Sequence, residues 1–127
     1  MSIFHDKMSR VLTPHQIQKK VSNRFYNYMA DLGLFLLHLL TNFPSHHLRR
    51  FLFRIGGARI GKGSSIHANC RVNSLRKLKI GEDSIIGYGA FLDGRALIEI
   101  GNHVDIATEV MIYNCEHDVN SEDFSAV

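Results

Sequence analysis

This chain of 127 residues is short of the features that usually assign a protein to a class. It has two cysteines, Cys70 and Cys115, which form no CxxC pair and have no metal-ligand spacing. Both read as reduced and structural, which suits a cytosolic protein. Met1 to Arg10 mixes charges and lacks the apolar core of a signal peptide. The most apolar stretch, Leu32–Leu40, contains Gly33 and His38 and is bounded by Asp31 and Thr41, so it is too short to span a bilayer. The basic residues lie mainly on apolar helices, without aromatic stacking motifs, so nucleic acid is not an expected partner. The length suits one compact domain better than two.

What the chain does have is a repeat. Aliphatic residues fall at Ile60, Ile66 and Val72, then at Ile80, Ile86 and Leu92, then at Ile100, Ile106 and Ile112. The steps are six, six and eight, so each full turn of the pattern takes 20 residues. Ile, Leu and Val make up 32 of the 127 residues, and nine hits in nine are far beyond chance. Gly follows the aliphatic at Gly61, Gly81, Gly87 and Gly101. Four positions after it stand small or β-branched residues: Ser64, Cys70, Ser84, Ala90, Ala96, Val104 and Val110, with Arg76 and Glu116 as exceptions. A six-residue step implies a short strand and a tight corner, and no such strand buries its apolar residue alone. Stacking is therefore expected, with Gly giving backbone freedom at the bends and the small residues leaving room for the aliphatic column. Two extra residues widen the third corner, near Leu78 and Ile98. The expected fold is mainly β, a parallel β-helix.

The segments IGKGSSI, IGEDSIIGYGAFL and IGNHVDIATEVMI resemble the hexapeptide-repeat acyltransferases, including the galactoside, maltose and polysaccharide O-acetyltransferases. The resemblance covers roughly residues 44–127. It implies a left-handed parallel β-helix, acetyl-CoA as co-substrate without a metal, a carbohydrate acceptor and a homotrimer with active sites between neighbouring subunits. It also implies that the chain stops at Val127 inside an active-site loop, as a fragment of a longer protein or a remnant that cannot complete the reaction. The expected division is a helical cap over residues 1–57, the repeat over 58–116 and the loop over 117–127.

Charge is unevenly divided. Residues 1–59 carry nine Lys/Arg against Asp6 and Asp31, for +7, while residues 60–127 carry six against ten Asp/Glu, for −4. Thr13-Pro14 opens a helix expected to run to about Thr41, with Ile17, Val21, Phe25, Met29, Leu32, Leu36 and Leu40 at three- and four-residue steps. Pro44-Ser45 opens a second helix, with Leu48, Phe51, Leu52 and Ile55 on one face, Arg49, Arg50 and Arg54 around it, and Gly56-Gly57 at its end. Two readings of this segment stay open. It caps the edge of the first repeat, or its residues 14–55 rest on the inner face of a membrane with the arginines on lipid phosphate. The protein is expected in the cytoplasm, with or without that peripheral contact.

His117, in Ile112-Tyr-Asn-Cys-Glu-His-Asp118, is the candidate for chemistry. In the resembling acetyltransferases a His just after such a repeat is the general base, and imidazole as a class exchanges its proton near neutral pH. The competing reading is an exposed loop histidine. His5, His15, His46 and His47 lie outside the repeat, His38 lies in an apolar helix stripe, and His67 and His103 occupy other places in their units. Asp118 either orients the His117 ring or is a solvated loop carboxylate. Asp93 and Asn114 are candidate partners of sugar hydroxyls, or turn formers at the corners, with Arg95 beside Asp93. Tyr88 stands about where the galactoside enzymes place an Asn, a departure from their pattern. Two other functions compete with acyl transfer. One is a non-catalytic interaction module. The other is a zinc hydratase of the γ-carbonic-anhydrase type, which would need three converging histidines that His67, His103 and His117 do not offer in close pairing.

Overall fold

A computed structural model describes residues 11–117 and residue 120. The chain divides into two compact units, one ending at Phe35 and the other beginning at Leu36. In the first unit, Thr13 and Gln16 form a reciprocal cap at the start of helix α1 (Pro14–Thr41). The Gln16 amide donates to Thr13 Oγ1 at 3.4 Å and the Thr13 amide donates to Gln16 Oε1 at 3.0 Å. Both amides lack helical partners, and Pro14 has no N–H to satisfy, which is why the helix starts there.

Among the described residues, the second unit holds the end of α1, helix α2 (His46–Ile55) and nine short strands. Ser45 caps α2 by accepting from the Leu48 amide at 3.3 Å. Gly57, at φ +109°, turns the chain out of the helix into the left-handed region that glycine enters without steric penalty. The strands form three layers: β1 (Arg59–Ile60), β2 (Ser65–Ile66) and β3 (Arg71–Val72); β4 (Leu78–Ile80), β5 (Ile85–Ile86) and β6 (Phe91–Leu92); β7 (Ile98–Ile100), β8 (Asp105–Ile106) and β9 (Met111–Ile112). Each strand pairs in parallel with the one 20 residues on, as in Ile60 with Ile80, Ile66 with Ile86 and Leu92 with Ile112. Three parallel three-stranded sheets result, in the orders β1-β4-β7, β2-β5-β8 and β3-β6-β9.

The expected class, mainly β and a left-handed parallel β-helix, is corrected. The two helices span 28 and 10 residues, whereas the strands of the described region have two or three residues each and form three separate small sheets. The repeat fixes the pairing register, but most of each 20-residue unit is corner rather than strand. The fold described is therefore mixed, two α-helices with three short parallel sheets.

The aliphatic column is the core. Ile66, Val72, Ile86 and Leu92 are essentially solvent-free, and Leu78 and Ile98 at the widened corner are buried with them. Burial of each such side chain contributes about 1.5–3 kcal/mol. Between the columns, Ser64 and Ser84 run a hydroxyl ladder through one corner. Ser64 Oγ donates to the Gly81 carbonyl at 2.6 Å and accepts from the Ser84 amide at 2.9 Å, and Ser84 Oγ repeats both bonds with Gly101 and Val104.

The glycines serve a different purpose from the one expected. Gly61, Gly81 and Gly87 do not have positive φ. They are needed because the next layer runs against them: a Cβ on Gly61 would overlap the Gly81 carbonyl, and one on Gly87 would come within 2.6 Å of the Ala107 carbonyl carbon. The left-handed bends fall two residues later, at Gly63, Asp83 and His103 on one corner and at Asn69, Gly89 and Glu109 on the next.

The helices end the stack on the side of the first layer. The carbonyls of Ile60 in β1, of Ser64 just before β2 and of Ile66 in β2 have no preceding strand to bond. Arg54 donates to Ile60 O at 2.7 Å, Arg50 to Ser64 O at 3.0 Å and Arg49 to Ile66 O at 2.6 Å. On the third side the Val72 amide donates to His38 Nε2 at 3.2 Å, and at the corner before it the Asn69 amide donates to Asn42 Oδ1 at 3.1 Å. These side chains supply the partners that a preceding layer would otherwise provide. Arg49 is buried, as is its neighbour Phe53. The expected apolar face of α2 is buried only in part, Leu48 and Leu52 being half-buried. Phe51 and Ile55 are 58% and 67% exposed, while the arginine side faces the strands. Among the described residues no helix is long and apolar enough to cross a membrane.

Candidate functional site

The third corner gathers most of the residues singled out for chemistry. β6 delivers Asp93, whose amide donates to the Ile112 carbonyl of the next layer at 2.8 Å. Its side chain is fully buried. Arg95, two residues on, closes on it in a bidentate pair, with Nε at 2.9 and 3.0 Å from the two oxygens and a terminal nitrogen at 2.6 Å from Oδ2. Asn73, one layer back, also donates to Oδ1 at 3.3 Å. The Arg95 hydrogen bonds hold the Asp93 carboxyl below the usual carboxylate range, against the opposing pull of burial. Lys77 ties the corner to the first layer through the Arg95 carbonyl at 2.6 Å.

Asn114 does the same from the third layer. Its Nδ2 donates to the Ala96 carbonyl at 2.8 Å, and its Oδ1 accepts from the Ala96 amide at 3.4 Å. For both Asp93 and Asn114 the geometry therefore favours the turn-forming alternative over a sugar contact. A buried carboxylate with Arg95 and Asn73 on its oxygens has no face left for a substrate hydroxyl.

His117 follows β9 by five positions and is exposed, as is Glu116. Cys115, half-buried, lies within electrostatic reach of Arg95. Asp118 lies outside the described residues, as do residues 121–127 of the expected loop. Tyr88 is placed at the opposite end of β6 from Asp93, at the corner that leads into that strand, and is 50% exposed. The structure thus brings Asp93, Arg95 and Asn114 together in one braced corner with His117 on the segment leaving it, and leaves Tyr88 apart.

The other histidines have separate surroundings. His38 accepts a backbone hydrogen bond, and burial followed by the charge of Arg71 holds its pKa below the ordinary imidazole value. His67 packs edge-on against His46, with ring centroids 5.0 Å apart. His103 forms a left-handed corner. Among the described residues no three His, Cys, Asp or Glu side chains are grouped as a metal ion would require.

Sequence reasoning did not anticipate the Asp93–Arg95 clamp or the arginine caps of α2. The first had a readable signal, an Asp-x-Arg step at a widened corner with Asn73 one repeat earlier; the second had only the three arginines. Compared with known protein families, with curated proteins and with solved structures, the chain matches none.

Proposed function

We propose that the chain belongs to an O-acyltransferase that moves an acetyl group from acetyl-CoA to a hydroxyl of a sugar or polysaccharide precursor, with His117 as general base. The observation that carries this reading is the exposed imidazole of His117, carried just beyond a corner that Asp93, Arg95 and Asn114 make rigid. A base must be reachable by the acceptor and held by a firm support; the exposure of His117 and the hydrogen bonds of the corner before it support this reading.

His117 takes the proton of the acceptor hydroxyl as that oxygen forms a bond to the thioester carbonyl carbon. The carbon–sulfur bond then breaks, and the departing thiolate recovers the proton from the imidazolium, leaving an ester and free CoA. Acetyl-CoA supplies an already activated acyl group, so no covalent enzyme intermediate is needed. The family resemblance adds a homotrimer, whose cyclic closure would set each His117 near a neighbouring subunit. Tyr88, exposed, remains a candidate for the acceptor's surface; Asp93 does not.

The test is thiol release from acetyl-CoA in the presence of glycoside acceptors, with protein isolated from its native source. We expect His117→Ala to lower turnover by roughly 10²–10⁴-fold, the usual contribution of a positioned acid or base. Undiminished turnover in that variant would remove His117 from the mechanism. A second reading, a non-catalytic interaction module, is favoured by one observation: the end of α1 and the outward side of α2 leave large apolar residues in solvent. Absence of thiol release and of CoA binding would favour it.

A further inference from the structure

The helical segment has turned its polar side inward. Arg49, Arg50 and Arg54 are drawn to strand carbonyls, and His38 and Thr41 at the end of α1 face the strands as well, Thr41 being buried. Large apolar residues are left exposed beside Asn42, His46, His47 and Arg54. Leu36, Leu39, Leu40 and Phe43 around the end of α1 are 49%, 60%, 56% and 59% exposed, and Phe51 and Ile55 on α2 exceed half. Scattered apolar residues on a surface need no explanation, but six large exposed ones between Leu36 and Ile55 do.

We infer that the exposed apolar residues Leu36, Leu39, Leu40, Phe43, Phe51 and Ile55 lie on an anionic lipid surface. Charge selects that occupant. Residues 36–59 carry four arginines and no Asp or Glu, for +4, against −4 for residues 60–127. Anionic headgroups attract such a segment. A second copy packed face to face would instead bring two +4 segments together. No described helix is long and apolar enough to cross the bilayer, so the segment lies on the surface, with its apolar residues at the headgroup boundary. The arginines are not the lipid ligands in this arrangement, since their donors serve backbone carbonyls and the rings of His46 and His47. Lipid contact of this kind is independent of acyl transfer and would hold for a chain without activity.

The test uses the full chain and sedimentation with two kinds of vesicle, phosphatidylcholine alone and phosphatidylcholine mixed with phosphatidylglycerol. Binding to the mixed vesicles is expected, weakening as salt is added. The double variant Phe51→Ser, Ile55→Ser should lower it at least about tenfold, with an unchanged circular dichroism spectrum because both residues are exposed. The chain has no tryptophan, so Phe51→Trp provides a single reporter whose emission should shift to the blue on mixed vesicles. No binding, unshifted emission from the Phe51→Trp variant, indifference to the serine pair, or self-association through this face without vesicle binding would each overturn the inference.

Discussion

The first and third layers are written in the same residue pattern and end up in different environments. Ile60, Ile66 and Val72 of the first layer are 8%, 1% and 0% exposed, much like Ile80, Ile86 and Leu92 of the second. In the third layer Ile100 is at 9%, while Ile106 and Ile112 are only half-buried. The first layer behaves as an interior layer because the helices stand where a preceding one would. They do so by side chains, with Arg54, Arg50 and Arg49 replacing backbone donors and His38 replacing a backbone acceptor. An edge strand can thus be closed by a helix that presents its charged side, provided the guanidinium groups reach the outward carbonyls.

The comparison breaks most visibly at Arg49. It is 3% exposed, and it donates to Ile66 O and to Phe43 O, both at 2.6 Å. Arg49→Ala removes both charge-assisted bonds and leaves the buried Ile66 carbonyl without its donor, while the Phe43 carbonyl keeps the Ser45 amide, so we expect a loss of about 3 kcal/mol in urea unfolding. A change below about 0.5 kcal/mol would mean that the edge needs no such partner.

A glycine pair sharpens the contrast between layers. In Gly81→Ala the new Cβ would meet the Gly101 carbonyl carbon at 2.6 Å, whereas in Gly101→Ala the nearest atom is Val104 Cγ2 at 3.9 Å. We expect the first to cost about 2 kcal/mol and the second to be nearly neutral, by thermal unfolding of each variant. Equal effects would assign the glycines to backbone freedom after all.

His38 predicts a smaller, pH-dependent effect. Its folded pKa lies below the ordinary 6.5, burial being the main cause. The imidazole accepts from Val72 as a neutral ring, so its contribution is complete above 6.5 and is lost as pH falls through the depressed folded value. Asp93, whose pKa is also lowered, loses its contribution only below its ordinary 3.8, in a separate window. Stability of the native chain minus that of His38→Leu should therefore decline on acidification from about pH 7.5 toward about pH 5. A flat difference would remove His38 from the cap.

Much of this was legible in the residues. Thr13-Pro14, Ser45 and Gly56-Gly57 mark the helix ends because capping is local chemistry. The nine aliphatic positions fix the register because parallel pairing at one repeat puts like beside like. Three things were not legible. Helical spacing says that Phe51 and Ile55 share a stripe, not that the stripe faces outward, because the demand for donors at the strand edges is nonlocal. The proportion of strand was overread, because six-residue units here contain two paired residues and four of corner. Asp93 looked available to a substrate, because its pairing with Arg95 depends on how the corner closes. His117, the residue with the clearest chemical reading, is located by the fold on an exposed segment, and its role rests on the proposed reaction.

Amide hydrogen exchange at two positions tests most directly the idea that helix side chains stand in for a layer. The Val72 amide is bonded to His38 Nε2, and the Asp93 amide, one layer on, to the Ile112 carbonyl. In His38→Ala the Val72 amide should exchange much faster while the Asp93 amide keeps its protection. If both keep their protection, or if both lose it together, the helices are not acting as the missing neighbour of the first layer.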